Sequence, residues 1–343
     1  MNAKLLSICI PTYNRNDELK KLYDNFLSIV SKNLKDDIEI IVCDNSIPHK
    51  ADINERLFQD TGVTYYANER NLGFAGNVLK CYRLARGKFI WLLPDNDDIL
   101  TDEFFKLFKF LKMNQNNTDA VFLHFKWQNI FYREQTNSFP KATCINDFFK
   151  QDIIPFVLLS NAIVRRNLDN FDIIAEKFPN NDFIQIVLHS MAIKQSQQLS
   201  FYPNPIIYYQ VEYIGRFNFE NLFNSMQDVM VFLSKYFTIN ITKLEYNEYV
   251  AKQRAVLFHD LGFHKIYEVE TIRKMLLDNI YKYKGLKVYV FYCLLKLPKR
   301  MMAILYWIKI LLLASPRTVN IYSKYLLLKK RIRETQHLEQ EVN

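Results

Sequence analysis

Five cysteines, Cys9, Cys43, Cys81, Cys144 and Cys293, are scattered along the 343 residues, and no two of them form a C-x-x-C pair. An odd, dispersed set argues against a disulfide framework and points to a reducing, cytosolic compartment. Long apolar runs are also missing near the N-terminus, where residues 5–10 precede Pro11. That run is too short for a signal-peptide core or a membrane span, so export is not expected. No G-x-G-x-x-G and no P-loop lysine occur. Acidic residues are absent from residues 279–333, which carry 13 Lys or Arg; setting these against the net charge of +9 leaves the remainder at −4. The basic character therefore belongs to the tail. In compensation, 49% of the residues are hydrophobic and 15% aromatic. That content builds a sizeable core in one or two domains and excludes disorder over most of the chain.

The chain is organised around Gly87-Lys88-Phe89-Ile90-Trp91-Leu92-Leu93-Pro94-Asp95-Asn96-Asp97-Asp98-Ile99-Leu100. Five large apolar residues bounded by Gly87 and Pro94 are too few for a helix and predict a buried strand of an α/β sheet. Three carboxylates then follow within four residues, at the edge where open parallel sheets bind ligands. Carboxylates so crowded repel one another unless a cation separates them, and oxygen-only ligation favours Mn2+ or Mg2+. Asp95-x-Asp97 is therefore read as a metal-diphosphate site. The competing reading is an acidic turn in which Asp98 or Thr101 caps a helix over 103–111.

Upstream, residues 5–10 predict a first strand. Pro11 is expected to stop its ladder and turn the chain outward, leaving Thr12, Tyr13 and Arg15 at the same sheet edge. A helix is expected over 17–30, a second strand over 38–43 ending in Asp44-Asn45-Ser46, and a short third strand over 63–66. Strands alternating with helices predict a doubly wound, mostly parallel sheet whose strand ends share one side. Asn71-Leu72-Gly73-Phe74-Ala75-Gly76-Asn77 opens the next helix, and free backbone N–H groups there suit an anion. A plain loop with a helix cap is the alternative.

Taken in order, residues 7–15, 44–46, 71–77 and 87–100 resemble the family 2 inverting glycosyltransferases of GT-A fold. The resemblance implies that Pro11, Thr12, Tyr13, Arg15 and Asp44 hold the base and ribose of a nucleotide-sugar donor, foremost a UDP-sugar. It also places Asn71, Gly73 and Asn77 in the donor site and gives Asp95 and Asp97 the metal that bridges the diphosphate. The Asn-Leu-Gly-Phe-x-Gly-Asn and Trp-Leu-Leu-x-Asp forms look most like members that build bacterial surface polysaccharides on saccharide or lipid-linked acceptors. Further along, residues 160–166 resemble the strand before the family's catalytic helix. Phe178-Pro179-Asn180-Asn181-Asp182-Phe183 stands where an acidic pair is usual, reduced here to one acid. Asp182 is then implied as the base that deprotonates the acceptor hydroxyl. The alternative for Asp182 is an N-cap on a helix over 184–192. Residues 199–210 fit the last strand of the catalytic domain, and Arg216 beyond them is a candidate for reaching the diphosphate.

These readings divide the chain into a catalytic domain over 1–215, with a donor side over 1–100 and an acceptor side over 101–215, and a helical basic region over 216–343. In the tail, the apolar runs 288–295 and 301–308 fall short of the ~20 residues a spanning helix needs. Basic residues interleaved with aromatic and aliphatic ones suit an anionic membrane surface on the cytoplasmic side. A basic helical bundle packed on the catalytic domain is the alternative. Nucleic acid is not expected as a partner. Two other classes compete. A Mg2+-dependent phosphotransfer enzyme would need a nucleophilic Asp after the first strand, where this chain has Pro-Thr-Tyr-Asn-Arg. A non-catalytic membrane or polyanion binder would leave the four ordered motifs unexplained.

Overall fold

The computed structural model describes residues 4–128, 135–136, 158–193 and 199–210, with single positions at 225, 228, 229 and 232. β1 (Leu6–Thr12) lies between β2 (Ile38–Asp44) and β4 (Phe89–Leu92), and β3 (Val63–Ala67) flanks β2; all three pairings are parallel. Helices cover both faces, so successive strand residues are buried and the apolar pattern is continuous. Leu6, Ile8 and Ile10 join a core with Phe26, Trp91 and Phe104. Cys9, Ile41, Ile90 and Leu92 join the opposite core with Val78 and Tyr82 of α4 (Gly73–Leu84). Trp91 stacks on Phe104 of α5 (Thr101–Asn114) at 5.7 Å between ring centroids, and Phe26 meets Phe104 edge-on at 4.9 Å. Each such pair contributes ~0.5–1.5 kcal/mol beyond area burial, which fixes a strand of only four residues in place.

The helix expected over 17–30 is α1 (Asn16–Leu22), a π-helical stretch Tyr23–Leu27 and α2 (Ser28–Asn33). α3 (Pro48–Phe58) follows β2, with its proline in the first turn, where the missing N–H costs no helical bond. Gly87 precedes β4 at a close approach: a Cβ there would lie 2.6 Å from Ser7 N and Oγ. Ser7 Oγ and the amides of Arg86 and Gly87 all donate to Glu39 Oε1, which locks this end of the sheet.

The structure corrects two local expectations. Pro11 does not end the ladder, because β1 stays paired with β2 through Pro11 and Thr12. Backbone groups alternate sides along a strand, and Cys9 O faces β4, where it accepts from Leu93 N at 2.8 Å. The missing N–H of Pro11 therefore falls on the side that β4 has already left. Likewise, neither Asp98 nor Thr101 caps α5. Leu100 holds the N-cap position without a side-chain bond, and Asp98 lies in a short strand, β5 (Asp98–Ile99).

The remaining strands are β6 (Ala120–Gln128), β7 (Gln135–Thr136), β8 (Ala162–Arg165) and β9 (Leu199–Gln210). The sheet runs β3-β2-β1-β4-β8-β6-β9-β5, with β7 beside β6. Most strands point one way, while β5, β7 and β8 run against them. Inserting β8 antiparallel next to β4 carries Ser160 and Asn161 to the end where the acids lie. α6 (Phe171–Lys177) and the wholly buried α7 (Ile184–Ile193) follow β8. The basic helical region expected over 216–343 lies outside the described residues, except for those single positions. Among the described residues no helix is long and apolar enough to cross a membrane.

Candidate active site

β4 ends beside Cys9 of β1, so the acids that follow it meet the last residue of β1 and the turn beyond. Asp95 is almost fully buried and accepts from Thr12 Oγ1 at 2.6 Å and from Arg15 Nη1 at 2.9 Å. Asp97, equally buried, accepts from Ser160 Oγ, and the Ser160 carbonyl is held by Trp91 Nε1 at 2.8 Å. Asp98 turns aside to Lys21 Nζ of α1, 2.7 Å away. Burial raises the Asp95 carboxyl above the usual range, although Arg15 and Thr12 pull it down. Burial pushes the Asp97 carboxyl up to about 7; Ser160 opposes this, and the charges of Asp95 and Asp98 add to it. Arg15 thus offsets the charge of Asp95, and Asp97 has a hydroxyl but no cation beside it among the contacts that shift its carboxyl. Among the described residues no group of three His, Cys, Asp or Glu side chains could hold a metal ion. Two hard carboxylates so placed fit a divalent ion that takes its other ligands from a bound molecule.

Several side chains expected at the donor serve here as ties. Asp44 is fully buried: its Oδ1 accepts from Ser46 N at 2.7 Å, and its Oδ2 accepts from Asn54 Nδ2 at 2.7 Å and Tyr65 Oη at 2.8 Å. Burial, and then the bond to Asp44, raises the Tyr65 hydroxyl. Asn77 Nδ2 donates to Thr12 O at 3.1 Å and Cys43 O at 2.9 Å, joining α4 to the ends of β1 and β2. Its Oδ1 accepts from Asn68 Nδ2 at 2.9 Å. Asn45 donates to Gly73 O at 3.0 Å and accepts from Leu72 N at 3.2 Å, while Asn71 Oδ1 takes Gly73 N at 2.8 Å. The amides of residues 72 and 73, expected to face an anion, are thus satisfied within the chain. Gly73 has φ +71°, a conformation that glycine adopts without strain. Tyr13 (49%) and Phe74 (44%) are exposed along these turns, and Arg15, paired with Asp95, is partly exposed. Pro11, the residue before Thr12, is partly buried.

The start of α7 corrects the alternative reading of Asp182. Asn181, not Asp182, ties the turn that leads into the helix: its Oδ1 accepts from Phe183 N at 2.8 Å. The Asp182 carboxylate has no partner among the described residues, and burial raises it above the usual range. Its neighbour Asn180 borders the start of α4, where a Cβ on Gly73 would lie 3.9 Å from Asn180 Oδ1. Arg216 lies outside the described residues. Sequence reasoning overlooked the ties made by Ser160, Asn45, Asn54, Tyr65 and Asn181. The one signal available was the density of Asn and Ser just beyond the predicted strands.

Residues 7–171 match Glycosyl transferase family 2. An uncharacterized glycosyltransferase of Methanocaldococcus jannaschii is 36% identical over 129 residues, 37% of this chain and 42% of the relative. The abequosyltransferase RfbV of Salmonella typhimurium is 33% identical over 104 residues, 29% of this chain and 30% of the relative. The chain therefore spans less than half the length of either relative. The crystal structure of S. aureus TarS residues 1–349 has a TM-score of 0.57 over 80% of each chain at 18% identity. The same protein in complex with UDP-GlcNAc has a TM-score of 0.56 over 80% of each chain at 16% identity. At such identities the likeness is one of fold. The matched region contains Thr12, Arg15, Asp44, Asn77, Asp95, Asp97 and Ser160, and residues 7–171 form a domain of glycosyl transferase family 2.

Proposed function

We propose that the protein transfers a sugar, with inversion, from a nucleotide-sugar donor to an oligosaccharide or lipid-linked acceptor in the assembly of bacterial surface polysaccharide. The observation that carries this reading is the buried pair Asp95 and Asp97 at the edge of a family 2 domain, tied to Thr12, Arg15 and Ser160. Tyr13, exposed beside the pair, faces the nucleotide, and Arg15, held by Asp95, turns the rest of its guanidinium to the diphosphate. Asp44, Asn71, Gly73 and Asn77 shape the donor site by holding the loops. The UDP-GlcNAc complex of TarS favours a UDP-sugar, and the relative named as an abequosyltransferase favours a surface-polysaccharide role. Asp97, with Asp95 beside it, would hold Mn2+ or Mg2+, which when bound neutralises charge on the departing diphosphate.

Asp182 accepts the acceptor hydroxyl proton. The freed oxygen forms its bond to the anomeric carbon as the bond to the diphosphate breaks, and that electron pair leaves on the diphosphate. One positioned base of this kind contributes ~10²–10⁴-fold. Arg216 is kept as a further diphosphate contact on sequence grounds. The basic tail places the enzyme on the cytoplasmic face of the membrane as a peripheral protein, near lipid-linked acceptors. The test is nucleotide release from a panel of nucleotide sugars with Mn2+. The wild type should turn over at least one donor, and Asp97→Ala should abolish that turnover while the fold survives. Near-wild-type release by Asp97→Ala would refute the assignment.

A further inference from the structure

We infer that Asn181 and Ser225 form a clamp that positions the Asp182 carboxylate and keeps it out of the helix cap. The inference rests on the reading of Asp182 as the base. Asn181 Oδ1 accepts from Phe183 N in the turn before α7, and its Nδ2 donates to Ser225 O at 2.9 Å. Ser225 Oγ accepts from Asp182 N at 3.0 Å. Both clamp residues are almost fully buried, and they lie 44 residues apart in sequence. Ser225 thus grips Asn181 by its side chain and Asp182 by its backbone amide, at the turn that leads into α7. A carboxylate drawn into the first turn of that helix would have its oxygens satisfied by helical amides and its proton affinity lowered by them. Held outside, it stays unpartnered among the described residues and partly buried, with proton affinity raised by that burial. That is the state a general base requires.

The test uses the full chain as wild type, Asn181→Ala, Ser225→Ala and Asp182→Asn, with melting curves to confirm folding. Aspartate carboxyls are labelled with 13C, and the Asp182 resonance is assigned by its loss in Asp182→Asn. In the wild type Asp182 should titrate above the ordinary carboxylate range. In Asn181→Ala and Ser225→Ala it should titrate lower. With UDP-GlcNAc and Mn2+, both clamp variants should release nucleotide ~10-fold more slowly at an unchanged KM, as misplacement of a reacting group predicts. Identical titration of Asp182 in all folded proteins, or an ordinary value in the wild type, overturns the clamp. Undiminished nucleotide release by Asp182→Asn instead sinks the base assignment, and the titration still judges the clamp.

Discussion

Replacing Asp97 by Asn should stabilise the metal-free protein at alkaline pH while destroying its activity. Asp97 is buried, and its carboxyl titrates at about 7 in the folded chain against an ordinary 3.8. The folded value lies above the unfolded one, so between these values the folded chain binds more protons and loses stability as pH rises. Below about 3.8 both states are protonated and the penalty is absent; above about 7 it is complete. A rise of roughly three units at 1.36 kcal/mol each makes a penalty of about 4 kcal/mol. Asparagine removes the charge and keeps an oxygen for the Ser160 hydroxyl, but it buries an amide donor, which costs about 1–3 kcal/mol. The net gain at about pH 8 is therefore about 1–3 kcal/mol, a Tm rise of roughly 2–12 °C at ~2–4 °C per kcal/mol. Near pH 4 only the amide cost remains, so the same variant should melt below wild type. Thermal melts of both proteins in EDTA at the two pH values decide the matter. If Asp97→Asn is the less stable protein at both, Asp97 carries no charge penalty and the electrostatic account of the acidic edge fails. Mn2+ should then raise the wild-type Tm and leave that of the variant unchanged.

Gly87→Ala should destabilise by about 1–3 kcal/mol with no change in donor KM, since its Cβ would press on Ser7 backbone at the sheet end away from the acids. A variant with wild-type Tm would show that the Ser7 turn gives way freely. Asn77→Ala removes the side-chain donor of Cys43 O and one of two donors to Thr12 O, which keeps Asn45 N at 3.0 Å, so the cost is about 1–3 kcal/mol for the one carbonyl left without that bond. Because the Thr12 turn also positions Asp95 and Arg15, donor KM should rise together with the loss in Tm, and a stability loss with unchanged KM would separate the two roles.

Some of this architecture is written locally. Five apolar residues between Gly87 and Pro94, followed by acids, announce a buried strand with carboxylates at its end, because strand burial depends on a run that needs no partner to be recognised. The alternation of strands and helices over residues 6–92 is legible for the same reason. Other features belong to neighbours. Pro11 stays in its strand because β4 ends first, a property of a segment some eighty residues away. The direction of a four-residue strand such as β8 has no local signature, yet it brings Ser160 to Asp97, 63 residues away in sequence. Asn and Asp serve the turn before a helix about equally well by type, and only the tertiary structure shows Ser225 holding Asn181 by its side chain and Asp182 by its backbone. Asp44 and Asn77 could by type contact a ligand or tie loops together. Hydrogen-bonding capacity is fixed by residue type, whereas the partner that uses it is chosen by long-range packing, and only the tertiary structure decided that these two tie loops.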